Sequence, residues 1–156
     1  MHIRLLVVGD RQPSWVDLAF DDYAGRLPRQ WRFRLQCLAG RRRGKGGNPL
    51  QAVEAEGQQL LKLISPAEFV VLLDERGQQA GSQALAGRLA DWLAAGKDLT
   101  FVIGGPDGVS NACRQRADYC WSLSKLTLPH GLARVLVAEQ LYRAWSISEG
   151  HPYHRA

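Results

Sequence analysis

The sequence predicts an α/β fold: a mainly parallel sheet with helices on both faces. Three features predict it. Short apolar runs alternate along the chain with longer segments whose apolar residues recur every three or four positions. Two of the runs, Glu68–Leu73 and Leu99–Ile103, are compactly apolar, as strands covered from both sides must be. Glycine, proline or an acidic residue follows several runs directly, as turns into helices do.

The elements follow in order. Ile3–Val8 is an apolar run closed by Gly9-Asp10. It has no small-residue cleavage site and Asp10 follows at once, so it reads as a first strand, not a signal peptide. Pro13-Ser14-Trp15 opens a helix to about Gly25, with Val16, Ala19, Phe20 and Tyr23 at helical spacing. Trp31–Leu38 alternates Trp31, Phe33, Leu35 and Cys37 with Arg32, Arg34 and Gln36, a strand with one basic face. Gly40–Gly47 is a loop rich in glycine and arginine. Asn48 caps a helix with Pro49 at its first position, running to about Leu63. Glu68–Leu73 is a buried strand, Asp74–Gly81 a turn, and Ser82 caps a helix through Ala95. Leu99–Ile103 is a second buried strand, closed by Gly104-Gly105-Pro106-Asp107-Gly108. A short helix spans Ser110–Arg116, a strand and a loop share Cys120–Leu128, and Gly131–Ile147 is a long helix before the polar segment His151–Ala156. No repeat or linker interrupts the chain, so residues 1–156 read as one domain.

Composition excludes several classes. No stretch approaches the ~20 apolar residues that cross a bilayer. Cys37, Cys113 and Cys120 form no C-x-x-C pair, and an odd count without metal spacing points to reduced thiols in the cytoplasm. No Cys/His cluster matches a zinc site, so no metal is expected. The net charge is +5, but its placement matters more. Residues 26–45 hold Arg26, Arg29, Arg32, Arg34, Arg41, Arg42, Arg43 and Lys45 and no acid. The other 12 basic residues face 15 acidic ones, so the rest of the chain is net −3. Basic charge confined to one segment is the footprint of a phosphate-rich partner. A solvated basic loop without a partner is the alternative.

In a parallel sheet, ligands gather beyond the carboxyl ends of the strands. Three ends stand out: Leu72-Leu73-Asp74-Glu75, Gly104–Gly108, and Leu123–His130. Glycines there bare the backbone to a ligand, although one such turn can equally be a tight helix cap. The G-x-G-x-x-G fingerprint is absent. The nearest approach to a Walker A loop, Gly40-Arg41-Arg42-Arg43-Gly44-Lys45-Gly46, has the wrong spacing and no Ser or Thr after its lysine. Nucleoside triphosphate chemistry is therefore disfavoured.

Five motifs in order carry a resemblance. They are Ile103–Gly108, Trp121–Ser124, Leu126–His130, Arg134-Val135-Leu136-Val137-Ala138-Glu139-Gln140-Leu141-Tyr142-Arg143-Ala144, and His151-Pro152-Tyr153-His154-Arg155. With the chain length and the Gly40–Gly47 loop, they resemble the SPOUT superfamily, and within it the bacterial 23S ribosomal RNA pseudouridine N3-methyltransferases. The resemblance implies a C-terminal trefoil knot, which periodicity alone would not suggest. It implies S-adenosylmethionine bound in a bent shape, lined by Leu73, Gly104, Leu123, Ser124, Lys125, Leu126, Thr127 and Leu128. It also implies a homodimer, and as substrate N3 of a pseudouridine in the large ribosomal RNA, within the large subunit or the assembled ribosome.

A neutral imide nitrogen is a poor nucleophile, so its proton must be handled. His130, Tyr153 and His154 are the candidates, and Arg155 or Arg143 could stabilise the imide anion. His130 after Pro129 could instead only cap the following helix. The helix Gly131–Ile147 is apolar nearly all round, with Leu132, Val135, Leu136 and Tyr142 on one side and Ala133, Val137, Leu141, Ala144 and Trp145 around the rest. Such a helix must be covered on both sides, by its own sheet and by a partner subunit. Two other readings stay open: a non-catalytic RNA- or ribosome-binding protein, and an α/β enzyme acting on a small nucleotide.

The basic segment generates a direct test. Replacing Arg41, Arg42 and Arg43 together by alanine should weaken RNA binding measured across a salt series. The slope of log affinity against log salt should fall by roughly 0.7–0.9 per lost phosphate contact. Cofactor affinity should stay unchanged; a large loss would show that the loop folds over the cofactor instead.

Overall fold

The computed structural model describes residues 1–9, 11–40 and 47–155. Asp10 and the basic run Arg41–Lys45 lie outside the described residues. Among the described residues five strands form the sheet: β1 (Ile3–Val8), β2 (Arg34–Leu38), β3 (Phe69–Gln78), β4 (Leu99–Ile103) and β5 (Tyr119–Trp121). All are parallel, in the order β2-β1-β4-β3-β5. The connecting helices are α1 (Ser14–Ala24), α2 (Pro49–Lys62), α3 (Ser82–Ala94) and α4 (Asn111–Arg116), and α5 (His130–Ser148) follows β5.

The strand pleat sorts the core into two layers. Ile3, Leu5, Val7, Val71, Phe101 and Ile103 point to one face, against Phe20 of α1, Leu85 and Leu89 of α3, and Val137 and Leu141 of α5. Leu6, Val8, Val70, Leu72 and Val102 point to the other, against Leu60 of α2 and Cys113 of α4. Both faces are covered, as expected, and β1 and β4 are buried at every position. No described helix is long and apolar enough to cross a membrane.

Asn48 caps α2 as expected, its side chain accepting from the Leu50 N–H at 3.0 Å. Three local expectations change. The second strand begins at Arg34, not Trp31. Trp31 closes a 3-10 turn, and Arg32 adopts φ 47, which breaks the extended run. The Trp31 indole belongs to the core through that turn, so its apolarity does not mark a strand face. The third strand does not stop at Leu73 but continues through Gln78, where Asp74–Gly81 reads as a turn. Leu73 and Gln78 both pair with Trp121, so the intervening residues bulge out of the ladder. Gly77 permits this: a Cβ there would stand 2.7 Å from the backbone of Cys120 and Trp121. Finally, Gly81 rather than Ser82 is the N-cap of α3. The Ser82 hydroxyl donates to Gln140 Oε1 of α5 at 2.9 Å, tying the two helices together.

A buried arginine closes the amino ends of the strands. Arg4 pairs with Glu68 at 2.9 Å and donates to Gln36, Thr100 and the Leu63 carbonyl. The opposite, carboxyl ends are left free for a site.

Gly77→Ala should destabilise the protein by about 1–3 kcal/mol, because backbone cannot yield as a side chain does. Urea unfolding checks this. Wild-type stability would show that the bulge relaxes without cost.

Candidate functional site

A cavity of about 830 Å³ opens at the carboxyl ends of β1, β3, β4 and β5. Its walls come from Val8 and Gly9 at the end of β1, Leu73–Arg76 on β3, Ile103–Val109 from the end of β4 onward, and the segment from Trp121 to Ala133. Of the expected lining, Leu73, Gly104, Leu123, Ser124, Leu126, Thr127, Leu128 and His130 all stand on it. Lys125 does not; it lines a shallow depression beside the cavity with Gln79, Ala80 and Gly81.

Local chemistry shapes both loops. A Cβ on Gly104 would collide with Val109 and lie 2.9 Å from the Gly108 carbonyl oxygen. The Gly108 N–H donates to the Gly105 carbonyl at 3.1 Å, and Gly108 takes φ +90, which favours glycine. In the second loop the Ser122 hydroxyl donates to the Ser124 carbonyl, and Ser124 Oγ accepts from the Leu126 N–H at 2.9 Å. The serines thus curl Leu123–Leu128 against the glycine turn. The walls are apolar at Leu73, Ile103, Trp121 and Leu128, with bare backbone at the glycines.

Sequence reasoning missed part of the lining. Gly9 and Gln12 reach the cavity because β1 lies beside β4, and an apolar run does not reveal its neighbour. Asp74 and Arg114 also line it, joined by an ion pair of 2.9 Å. Burial alone would raise the Asp74 carboxyl, but the Arg114 hydrogen bond, the Arg76 backbone N–H and both positive charges outweigh it and hold it below the usual range.

His130 starts α5 on the cavity wall. Its Nε2 lies 3.3 Å from Arg134 Nη2, which also donates to the Gly9 carbonyl at 3.2 Å. Burial, and then the Arg134 charge, pushes its pKa down to about 4.

Arg143, Tyr153, His154 and Arg155 sit elsewhere. None of them lines the cavity. Residues Pro152–His154 form a 3-10 turn that folds back on α5, with the Tyr153 ring 4.6 Å from that of Tyr142. Tyr142 is twelve residues past His130, about 18 Å along a helix. The Tyr153 hydroxyl donates to Glu139 at 3.1 Å, and Arg143 pairs with the same carboxylate at 2.6 Å. Burial, Tyr23 and the Glu139 carboxylate raise the phenol well above its ordinary value, so it stays protonated. The Glu139 hydrogen bond keeps Arg143 charged. His154 Nδ1 is buried with no hydrogen-bond partner among the described residues. Among the described residues, no three His, Cys, Asp or Glu side chains gather as a metal site would require.

The fold is shared with solved methylases. A probable methyltransferase from Bordetella pertussis superposes with a TM-score of 0.60 at 17% identity, covering 91% of this chain and 95% of that one. A probable methylase family protein from Haemophilus influenzae gives 0.57 at 13% identity, covering 97% of this chain and 69% of that one. At such identities the likeness concerns the fold alone. The family follows from sequence. A family model described as "Predicted SPOUT methyltransferase" matches residues 1–154. A relative from Alkalilimnicola ehrlichii, named "Ribosomal RNA large subunit methyltransferase H", is 49% identical over 156 residues, all of both chains. A relative of the same name from Thioalkalivibrio sulfidiphilus is 47% identical over 99% of each chain. The chain belongs to the SPOUT methyltransferase family.

Proposed function

We propose that this protein is an S-adenosylmethionine-dependent methyltransferase acting on N3 of a pseudouridine in the large (23S) ribosomal RNA. Near-half identity along the entire length to relatives named as large-subunit ribosomal RNA methyltransferases carries this reading.

The cavity suits the donor. Its volume lies in the usual range for small-molecule sites. Gly104, Gly105 and Gly108 line it without side chains and bring backbone groups within reach of an adenosine, and Leu73, Leu123 and Leu128 offer apolar walls to its flat base. Leu73, Gly104 and the residues Leu123, Ser124, Leu126, Thr127 and Leu128 would hold it, with Lys125 at the loop's outer edge. Bound there, S-adenosylmethionine supplies an electrophilic methyl group on a sulfonium. The chain wraps two adjacent loops, Gly104–Gly108 and Leu123–His130, around this cavity, and in our reading they belong to a trefoil knot.

The protein must position the base and take its N3 proton; positioning alone can contribute roughly 7–11 kcal/mol. Tyr153 is held protonated by Glu139, so it serves as a donor and orienting group. His154 is left as the proton acceptor of that segment, with Arg143 and Arg155 as the cations that stabilise the imide anion. These groups stand on the far half of α5 from the cavity, so they act on the donor held by a second copy of the chain. Trp15 and Leu18, one turn apart on α1, and Leu132 on α5 are exposed apolar residues that a twofold contact would cover. Such a homodimer places RNA across both subunits, with the basic segment 26–45 on its phosphates. The protein works in the cytoplasm, as a single domain over residues 1–156.

Mass spectrometry of large-subunit RNA from cells with and without this chain tests the assignment. One N3-methylpseudouridine should vanish with the gene and return when purified protein and S-adenosylmethionine are added to ribosomes. An unchanged modification profile would overturn the proposal.

A further inference from the structure

Among the described residues Arg134 is the largest fully buried side chain, 1% exposed. Among the described residues no carboxylate pairs with it. Its Nη2 is shared between the Gly9 carbonyl oxygen and His130 Nε2, and its Nε has no partner. Burying a cation without a counter-ion is costly, so the arrangement asks for a role. A guanidinium can only donate hydrogen bonds. The lone pair on His130 must therefore be on Nε2, and the neutral ring carries its hydrogen on Nδ1. Nδ1 makes no hydrogen bond among the described residues. That edge of the ring is the one nearest Gly9: Nδ1 and Cε1 lie 3.8 and 3.7 Å from where a Cβ on Gly9 would be. Gly9 and His130 both line the cavity, and Gly9, at φ +111, carries no side chain to lie in van der Waals contact with that edge.

We propose that Arg134 is a positioning residue that locks His130 as a neutral Nδ1–H donor in the cavity, where it binds an anionic or carbonyl oxygen of the bound molecules and does not accept the proton. Its depressed basicity, with a pKa of about 4, fits a ring that stays neutral at working pH. The other charged groups on the cavity wall are Asp74, Glu75, Arg76, Asp107 and Arg114. The oxygen has two possible sources: the amino-acid carboxylate of the methyl donor, or the uracil carbonyl on which charge grows as N3 is deprotonated. The role in methyl transfer rests on the function proposed above; the tautomer does not.

Long-range proton–nitrogen NMR of histidine-labelled full-length protein tests the lock, with His130→Gln assigning the resonance. The wild type should show a protonated Nδ1 and a bare Nε2, unchanged from pH 8 to pH 5. Arg134→Met should lose the preference for that tautomer and titrate nearer the ordinary histidine value. An Nε2–H tautomer in the wild type, or a ring titrating near pH 6.5 there, would overturn the proposal, and neither result depends on the Arg134→Met variant. Calorimetry with His130→Ala then separates the sources. If the oxygen is the donor's carboxylate, S-adenosylhomocysteine should bind about tenfold more weakly while 5′-methylthioadenosine, which lacks it, is unaffected. If it belongs to the base, both should bind as in the wild type and kcat on ribosomes should fall about a hundredfold. No change in any of the three would refute the donor role. A wild type that binds neither nucleoside would refute the function proposed above, and the NMR result would still stand.

Discussion

A helix fixes the distance between its two ends, and α5 is the ruler on which this protein is laid out. Its first turn carries His130 and Ala133 on the cavity wall. Its second half carries Glu139, Tyr142 and Arg143, on which Tyr153 is fastened by a hydrogen bond and a ring contact. Between the ends, Val137, Ala138, Leu141 and Ala144 are clamped in the core with α1 and α3. The straight run of the helix keeps its own polar segment about 18 Å from its own cavity wall. In the function we propose, chemistry that joins the two joins them across two chains.

The cavity itself follows from the sheet. With all five strands parallel, every carboxyl end falls on one edge. Arg4 and Glu68 knit the opposite edge together. At the cavity edge glycines do what side chains would prevent. Gly104 lets its turn double back on Val109, Gly77 lets β3 bulge past β5, and Gly9 puts no side chain against one edge of His130. The result is an apolar, backbone-lined pocket flanked by a fixed ion pair, Asp74–Arg114, and a fixed histidine.

Much of this was legible in the residues. Apolar runs marked β1, β3 and β4, Asn48-Pro49 marked the start of α2, and the glycine turn after β4 marked the cavity. What escaped has common causes. Trp31 is apolar because it plugs the core from a turn, and alternation cannot distinguish that from a strand position. Asp74, Glu75 and Arg76 look like a turn because they are polar, yet they continue β3 as a bulge. Strand order has no local signal, so the contributions of Gly9 and Gln12 to the cavity could not be read. Arg4 and Arg134 are buried cations, and their residue type points to the surface. Lys125, which the motifs group with the cofactor segment, faces the neighbouring depression with Gln79, Ala80 and Gly81.

In the proposed dimer, one chain's cavity works with another chain's residues at positions 153–155. Mixing two inactive variants tests it most directly: Gly104→Val, whose side chain collides with Val109 and Gly108 and so deforms the cavity's glycine turn, and a chain with Tyr153, His154 and Arg155 all changed to alanine. After subunit exchange, the mixed dimers should each regain one intact site, restoring about a quarter of wild-type activity on ribosomes. A mixture as inactive as its components, with exchange confirmed by mass, would contradict the shared site.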